Sequence, residues 1–327
     1  MGVLPGYTDR SPRARSSGDR APACGAGGRR FKSCRAHLYV TEQQVSELLT
    51  PPDAFAAVEA CFGRLARGAI DNPARVRAEL PDGLFAVMPC VDRELGYAGL
   101  KSFLWLPGGT PFLVVLFSLE HARIEAVVEA DLLGQLRTAA ASAVAAKHLA
   151  RANARTLGVI GCGRQAASHV VALRAALPSL EHVLVYGRDE ERLAAFCRAH
   201  DCEAATDQAA GGCDVVVTAT TSKEPVLRGE WLSEGAFVCA VGANDLASRE
   251  LDDDVLERAS FICTDSLEQA QLEAGDLIAA PAVHELQDVV AGDLRGRASD
   301  DDITLFKSNG LAAWDLAVAA RVVELAR

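Results

Sequence analysis

The sequence between Thr156 and Ala167, TLGVIGCGRQAA, constrains the fold more than any other stretch of the chain. A short apolar strand runs into Gly161 and Gly163 and then into a helix-forming sequence. Glycines permit a tight turn and a close approach of backbone to a ligand, and a helix N-terminus presents unpaired N–H groups to negative charge. The pattern predicts a dinucleotide site whose contacts are Gly161, Gly163, Arg164, Gln165 and Ala166.

Glycine is common in ordinary strand-to-helix turns, so the motif alone also fits a turn with no ligand. A second apolar strand at His182 to Tyr186 follows at the βαβ spacing that a dinucleotide site requires. The end of that strand indicates which dinucleotide binds. It carries Gly187 and Arg188, and a cation there favours the 2′-phosphate of NADP(H). Alternatively Asp189 holds the ribose of NAD(H), but a carboxylate at that place is typical of a helix cap.

Length and composition set the class of protein. The chain has 327 residues, half of them hydrophobic, which predicts two domains, and its net charge of −11 argues against nucleic-acid binding. No apolar run reaches the length of a membrane span, so we expect no membrane association. Ten scattered cysteines without a Cys-x-x-Cys motif favour a reducing, cytoplasmic location. The histidines have no zinc-type spacing, so no metal is expected.

Residues 1–36 differ from the rest, with eight Lys or Arg, two Asp and no periodicity. They predict a disordered basic arm, although a transit peptide or a start assigned too far upstream would give a similar composition. From residue 37, two helices precede several short β-type runs, which indicates an antiparallel sheet in an α+β domain. A long Ala-rich helix, predicted to be capped by Asp131, then leads into the dinucleotide domain.

Three cations of the first half stand where charge is costly. Lys101 interrupts an apolar strand, Arg137 lies in a helix of small residues, and Arg75 opens a strand. A buried cation needs an anion, so a substrate carboxylate held by all three fits the pattern. Alternatively the partners are structural, supplied by Glu120, Glu125 or Glu129, or the side chains extend to water. Lys307 and Asp315 are assigned structural roles, with a place at the border of the active site as the alternative, and His169 is expected to be an ordinary helix residue.

The motifs taken together resemble the ornithine cyclodeaminase/μ-crystallin family from about residue 37 to the C-terminus. They are Asn72-Pro-Ala-Arg75, Met88-Pro89, Gly99-Leu-Lys101, Leu136-Arg-Thr-Ala-Ala-Ala-Ser-Ala-Val-Ala145, Gly161-Cys-Gly-Arg-Gln-Ala166, Arg249-Glu-Leu-Asp252 and Ile303-Thr-Leu-Phe-Lys-Ser-Asn-Gly-Leu-Ala312.

The resemblance implies a homodimer of chains that each combine two domains. One is an α+β substrate-binding and dimerisation domain, formed by residues 37–150 and 309–327, and the other is a Rossmann dinucleotide-binding domain, residues 151–308. A C-terminal helix returns to the first domain. The resemblance also implies that Arg75, Lys101 and Arg137 hold the substrate carboxylate. The loops implied to contact the cofactor contain Thr218, Thr220, Val241 and Gly242.

Two departures distinguish activities within the family. The cyclodeaminases that this chain resembles carry an Asp as base where Asn244 stands, and an amide cannot act as a base. Asp245 is adjacent and would serve if the loop shifts by one residue. Gly187 and Arg188 favour NADP(H), whereas cyclodeaminases hold NAD. Both points are more similar to the ketimine reductases of the family.

The sequence therefore predicts an NAD(P)H-dependent reductase of a cyclic imino acid, such as pyrroline-2-carboxylate or piperideine-2-carboxylate. Lys101, Asn244 and Asp245 are the candidate catalytic residues. The alternatives are an ornithine cyclodeaminase that makes proline and ammonia, an open-chain amino-acid dehydrogenase, and a binding protein with little turnover. The three costly cations favour an enzyme over the last of these.

Overall fold

The structure, a computed structural model, describes residues 37–327. The basic arm predicted for residues 1–36 lies outside them. Among the described residues, no helix has the length and apolarity needed to cross a membrane. Within the same residues, no cluster of three or more His, Cys, Asp or Glu side chains has an arrangement that could hold a metal ion.

The first half of the described chain forms a seven-stranded sheet with its helices. The elements are β1 (Leu38–Val40), α1 (Glu42–Leu48), α2 (Pro51–Ala66), β2 (Ile70–Asp71), β3 (Val76–Leu80), β4 (Gly83–Asp92), β5 (Tyr97–Trp105), β6 (Phe112–Ser118), β7 (Arg123–Glu129) and α3 (Asp131–Leu149). The strand order is β1-β7-β6-β5-β4-β2, and β3 also pairs with β4. All pairings are antiparallel except β1 with β7, which confirms the predicted antiparallel sheet and adds a parallel edge strand.

The second half forms an eight-stranded parallel sheet. The elements are β8 (Thr156–Ile160), α4 (Arg164–Ala176), β9 (His182–Tyr186), α5 (Glu190–His200), β10 (Glu203–Ala204), α6 (Asp207–Gly211), β11 (Val215–Thr218), β12 (Phe237–Ala240), α7 (Asp253–Arg258), β13 (Phe261–Thr264), α8 (Leu267–Glu273), β14 (His284–Glu285), α9 (Leu286–Ala291), β15 (Thr304–Lys307) and α10 (Ala312–Leu325). The order is β10-β9-β8-β11-β12-β15-β13-β14. Strands β11, β12, β13 and β15 are buried throughout, as expected for a parallel sheet covered on both faces.

Helix α10 returns to the first sheet, where it packs on β4, β5 and β6 and against α2 and α3. The predicted fold class, a Rossmann-type parallel sheet beside an α+β part with a returning C-terminal helix, is therefore confirmed. The two sheets lie within residues 38–129 and 156–307. The proposed domain boundaries, 37–150 plus 309–327 and 151–308, stay a prediction.

Different residues fix the starts of the first three helices. Thr41 and Thr50 form capping boxes at α1 and α2, and Pro51 takes the first position of α2. The prediction that Asp131 caps α3 is wrong, because Asp131 is the first helical residue. The N-cap of the helix is Ala130, whose methyl side chain cannot accept a hydrogen bond. The Glu42 carboxylate supplies the missing acceptor, receiving the backbone N–H of Asp131 at 3.1 Å and of Leu132 at 2.6 Å.

Candidate active site

The turn between β8 and α4 has the predicted strand-turn-helix form. Gly161 has a φ of +120°, and a Cβ there would lie 2.5 Å from the Ala219 carbonyl oxygen. Gly163 is the N-cap of α4 and has no side-chain cap, so the first N–H groups of this helix stay available to an anion. A Cβ on Gly163 would meet no atom within 4 Å. Ala166 is fully buried where the helix packs onto the sheet.

The end of β9 places three residues beside this turn. Gly187 packs on Cys162, and a Cβ on Gly187 would lie 2.7 Å from the Cys162 Sγ. The Asp189 carboxylate caps α5 by accepting the backbone N–H of Arg192 at 3.0 Å, as predicted. Arg188 is exposed and forms no ion pair within residues 37–327. A cation is therefore available here, while the neighbouring carboxylate is already engaged.

A buried carboxylate joins the loops that follow β11 and β12. Glu250 is fully buried. Its Oε1 accepts the backbone N–H and the hydroxyl of Thr220, each at 2.7 Å. Its Oε2 accepts the Thr218 hydroxyl at 2.8 Å and the Gly242 N–H at 2.7 Å. Since Thr218, Thr220, Val241 and Gly242 were predicted to form the cofactor loops, Glu250 is the residue that fixes these loops relative to each other.

Asn244 and Asp245 occupy different environments. Asn244 borders the cavity described below, and its Oδ1 is buried without a hydrogen-bond partner in the described part of the chain. Its backbone carbonyl accepts a hydrogen bond from Arg77 at 2.8 Å. Asp245 is exposed and engaged in a surface turn, where its carboxylate accepts from the Ala247 N–H at 2.9 Å and the Ser248 hydroxyl at 2.8 Å. The loop shift that would bring Asp245 into the site is absent from this structure.

Lys101 and Arg137 share one carboxylate oxygen. The Lys101 Nζ and the Arg137 Nε each donate to the Oδ1 of Asp315 at 3.0 Å. All three residues are buried. Burial, and to a smaller extent repulsion from Arg137, lowers the pKa of Lys101 to about 8. The Arg137 NH1 is buried and has no partner among residues 37–327. Arg137 therefore keeps an unused donor and also borders the cavity described below.

Arg75 is held by the second half of the chain. Its NH2 donates to the Asn309 carbonyl at 3.0 Å, and its NH1 lies 3.3 Å from the Glu273 Oε2. Burial, offset in part by Glu273, lowers the pKa of Arg75. The alternative structural partners predicted for the three cations are wrong in identity, because Glu120, Glu125 and Glu129 pair elsewhere, with His121, with Arg123 and Arg327, and with Tyr39.

A cavity of about 390 Å³ joins the cations to the dinucleotide turn. Its walls include the following predicted residues: Arg75, Lys101, Arg137, Gly163, Arg164, Gln165, Thr220, Val241, Gly242 and Asn244. Met88, Phe103 and Phe112 form an apolar wall. Of the other predicted residues, Gly161, Ala166, Gly187, Arg188, Thr218 and Asp245 do not line it. Gln165 adds a buried Oε1 that has no partner in the described chain.

Sequence reasoning missed the acidic residues that support this cavity. Asp315, Glu273 and Glu250 were not assigned to the site, although Glu250 and Asp315 lie in or beside the motifs. The available signal was a carboxylate in a largely apolar segment, as in helix α10. The structural role assigned to Lys307 fits its surroundings. It is fully buried, lies 3.4 Å from the Asp276 Oδ2, and its Nζ donates to the Ala243 carbonyl at 2.5 Å.

A buried histidine connects the cation helix α3 to the dinucleotide helix α4. The Nδ1 of His169 lies 2.7 Å from the Gln165 carbonyl, which can only accept, so this nitrogen carries the hydrogen. The Nε2 then accepts from the Ser142 hydroxyl at 2.9 Å. Burial lowers the pKa of His169 to about 4, so the ring is neutral.

Two relatives of known activity match most of the chain. An alanine dehydrogenase of Archaeoglobus fulgidus is 37% identical over 308 residues, covering 88% of this chain and 94% of the relative. A Δ1-pyrroline-2-carboxylate reductase of Bacillus cereus is 34% identical over 267 residues, covering 73% and 81%.

Solved structures of similar proteins superpose on most of the chain. A probable ornithine cyclodeaminase from Bordetella pertussis Tohama I superposes with a TM-score of 0.84 at 33% identity, covering 89% of this chain and 97% of that one. An archaeal alanine dehydrogenase, solved as a dimer with bound NAD, gives 0.82 at 35% identity, covering 89% and 96%. The sequence model of the ornithine cyclodeaminase/mu-crystallin family matches residues 35–327, so the predicted resemblance is confirmed and the chain belongs to this family.

Proposed function

We propose that this protein is an NAD(P)H-dependent oxidoreductase that reduces a 2-imino acid to the amino acid, with a cyclic imine such as pyrroline-2-carboxylate or piperideine-2-carboxylate as substrate. The observation that carries the proposal is the single cavity in which Arg75, Lys101 and Arg137 face the dinucleotide turn. Cations suited to a carboxylate and a turn suited to a pyrophosphate therefore border the same space.

The residues present fit a dinucleotide. Gly163 leaves open space where a side chain would otherwise project, and the N–H groups of α4 are available for phosphate. A bound reduced nicotinamide supplies a hydride. Arg188 supports NADP(H), because it is exposed and unpaired among the described residues while Asp189 is engaged in capping. The archaeal alanine dehydrogenase was solved with NAD, which keeps NAD(H) as the alternative cofactor.

The chain's own residues orient the imine and supply a proton. The Arg137 NH1 and the Arg75 Nε are buried donors without partners in the described region, and two donors match the two oxygens of one carboxylate. Lys101 borders the same cavity with a pKa of about 8, so its ammonium can give a proton to the substrate nitrogen near neutral pH. The apolar wall of Met88, Phe103 and Phe112 suits a hydrocarbon ring.

Two other activities have a specific observation in their favour. The 37% identity to an alanine dehydrogenase favours an open-chain imino acid as substrate. The 33% identity to a probable ornithine cyclodeaminase favours ring closure of ornithine. The second activity needs a base, and the residue on the cavity wall is the amide Asn244, while the Asp245 carboxylate accepts hydrogen bonds in a surface turn.

We also propose a homodimer formed through the outer face of the seven-stranded sheet. Tyr39, Phe85, Leu113 and Phe117 lie on this face and are between 38% and 55% exposed. An apolar sheet face of this kind is typical of an interaction surface. The archaeal alanine dehydrogenase was solved as a dimer. The cysteines of residues 37–327 are free thiols, in keeping with the cytoplasmic location, which stays a prediction.

The test is consumption of NADPH and of NADH with a panel of cyclic and open-chain 2-imino acids, run beside ornithine with NAD and an ammonia readout. We expect faster reduction of the cyclic imines and a preference for NADPH. Arg188→Ser should lower the NADPH preference about 10-fold or more, the value of one charge-assisted contact. The control is Arg192→Ser, an exposed cation in the first turn of α5. Ammonia and proline from ornithine, without imine reduction, would refute the proposal.

A further inference from the structure

Asp315 is a buried carboxylate in an otherwise largely apolar helix. It lies in the first turn of α10, and its exposure is 0%. The helix start is fixed from outside, because the Asn72 Oδ1 accepts the Ala313 N–H at 2.8 Å. A carboxylate suits the first turn of a helix, but full burial is costly without cationic partners. The partners are the cavity residues Lys101 and Arg137, which lie 214 and 178 residues earlier in the chain.

Most of the surroundings of Lys101 are unfavourable to its charge. Arg137 on α3 and Arg75 before β3 repel the ammonium, and Gly134 of α3 packs where a Cβ would lie 3.2 Å from the Nζ. The Phe112 ring of β6, 5.3 Å from the Nζ, gives only a weak cation–π attraction. Asp315 is the only acidic group that pairs with Lys101 in the described chain. The charge of Lys101 therefore depends on α10.

We propose that Asp315 is a positioning residue of the substrate site: by holding the Lys101 ammonium and the Arg137 Nε on one oxygen, it keeps Lys101 charged at neutral pH and directs both cations to the ligand carboxylate. This inference rests on the proposed function for its consequence, the binding and reduction of a 2-imino acid. It assigns to Asp315 no contact with the substrate.

The direct test follows the titration of Lys101 in the full chain with lysine labelled with ¹³C at Cε. The lysines are Lys32, Lys101, Lys147, Lys223 and Lys307, and Lys101→Met assigns the signal. Asp315→Asn should lower the midpoint of Lys101 from about 8 by about 1 to 3 pH units, the usual effect of one adjacent opposite charge. Asp214→Asn is the control, because Asp214 accepts its hydrogen bonds beside the start of β8, away from the cavity.

Arg137→Gln tests the same arrangement with the opposite sign and does not depend on the folding of Asp315→Asn. Without the repelling Arg137 cation, Lys101 is the only cation paired with Asp315, so the titration midpoint of Lys101 should rise. A folded Asp315→Asn whose Lys101 midpoint stays within about 0.3 pH units of wild type, or an Arg137→Gln midpoint that does not rise, overturns the proposal.

The pH profile of kcat/KM for imine reduction separates the two proposals. We expect its basic limb to move down in Asp315→Asn by the same shift as the Lys101 signal, and to stay in place in Asp214→Asn. If the Lys101 signal moves but the wild-type protein reduces no imino acid, the proposed function is wrong and the role of Asp315 in holding the cation charge stands. If reduction occurs and the basic limb does not move, Asp315 does not act through Lys101.

Discussion

Two glycines of the dinucleotide turn should respond differently to the same substitution. Gly163 has φ −99° and ψ −173°, an extended conformation open to any residue, and its Cβ would touch no protein atom within 4 Å. Gly163→Ala should therefore fold normally and stay within about 1 kcal/mol of wild type, because the entropy that alanine removes from the unfolded chain is offset by its poorer fit at the N-cap of α4. Gly161→Ala must adopt φ +120° and place a Cβ 2.5 Å from the Ala219 oxygen, which should cost at least about 1 to 3 kcal/mol.

Cofactor affinity should suffer in Gly163→Ala, the variant whose stability is the less affected of the two. The new methyl group of Gly163→Ala would stand where a pyrophosphate approaches the N–H groups of α4. Loss of one such charge-assisted hydrogen bond costs about 1.5 to 3 kcal/mol, which is a 10-fold to more than 100-fold rise in the Kd for NADPH. Thermal unfolding without ligand and calorimetric titration of NADPH and NADH measure the two effects. Unchanged binding by Gly163→Ala, or wild-type stability of Gly161→Ala, would refute this account of the turn.

Acid should destabilise the fold through His169, whose pKa of about 4 lies below the ordinary value of 6.5. Between these two pH values His169 is protonated in the unfolded chain but neutral in the folded protein. The free energy of unfolding therefore falls as the pH drops from 6.5 toward 4, by about 2 kcal/mol between pH 7 and pH 5. His169→Gln should lose this part of the pH dependence in urea unfolding, the exposed His121→Gln should keep it, and equal slopes in both would contradict the assignment. Glu250→Gln should lower the free energy of unfolding by about 1 to 3 kcal/mol and raise the KM for cofactor, because the new amide NH₂ must face the N–H of either Thr220 or Gly242. Unfolding and initial-rate assays measure the two effects. Unchanged values in both would mean that the loops do not depend on this carboxylate.

The sequence was sufficient for local structure and for the cations, because both depend on residues close together in the chain. The turn at Gly161 and Gly163, the capping box of α1 and the proline at the start of α2 follow from short-range patterns. The three cations could be singled out because a charge in an apolar segment is costly wherever it lies. Their convergence on one cavity required the fold or the family resemblance.

The acidic partners could not be identified from the sequence. Asp315 pairs with residues 178 and 214 positions away, and Glu273 pairs with Arg75 across the two sheets. Several glutamates stood nearer in sequence, and nothing in their spacing excluded them. The same limit explains the cap of α3, where Glu42 from α1 supplies the acceptor that was attributed to Asp131. Pairings of this kind depend on tertiary packing.

The return of α10 to the first sheet has a consequence for the order of events during translation. Strands β4 to β6 are synthesised long before their covering helix, since roughly 180 residues separate the end of β7 from the start of α10. At about 5 to 20 residues per second, the inner face of that sheet waits roughly 10 to 40 s for α10 to emerge. The nascent chain must remain unaggregated through this interval. If translation stalled between β7 and α10, the nascent chain would expose an apolar sheet surface to which chaperones can bind.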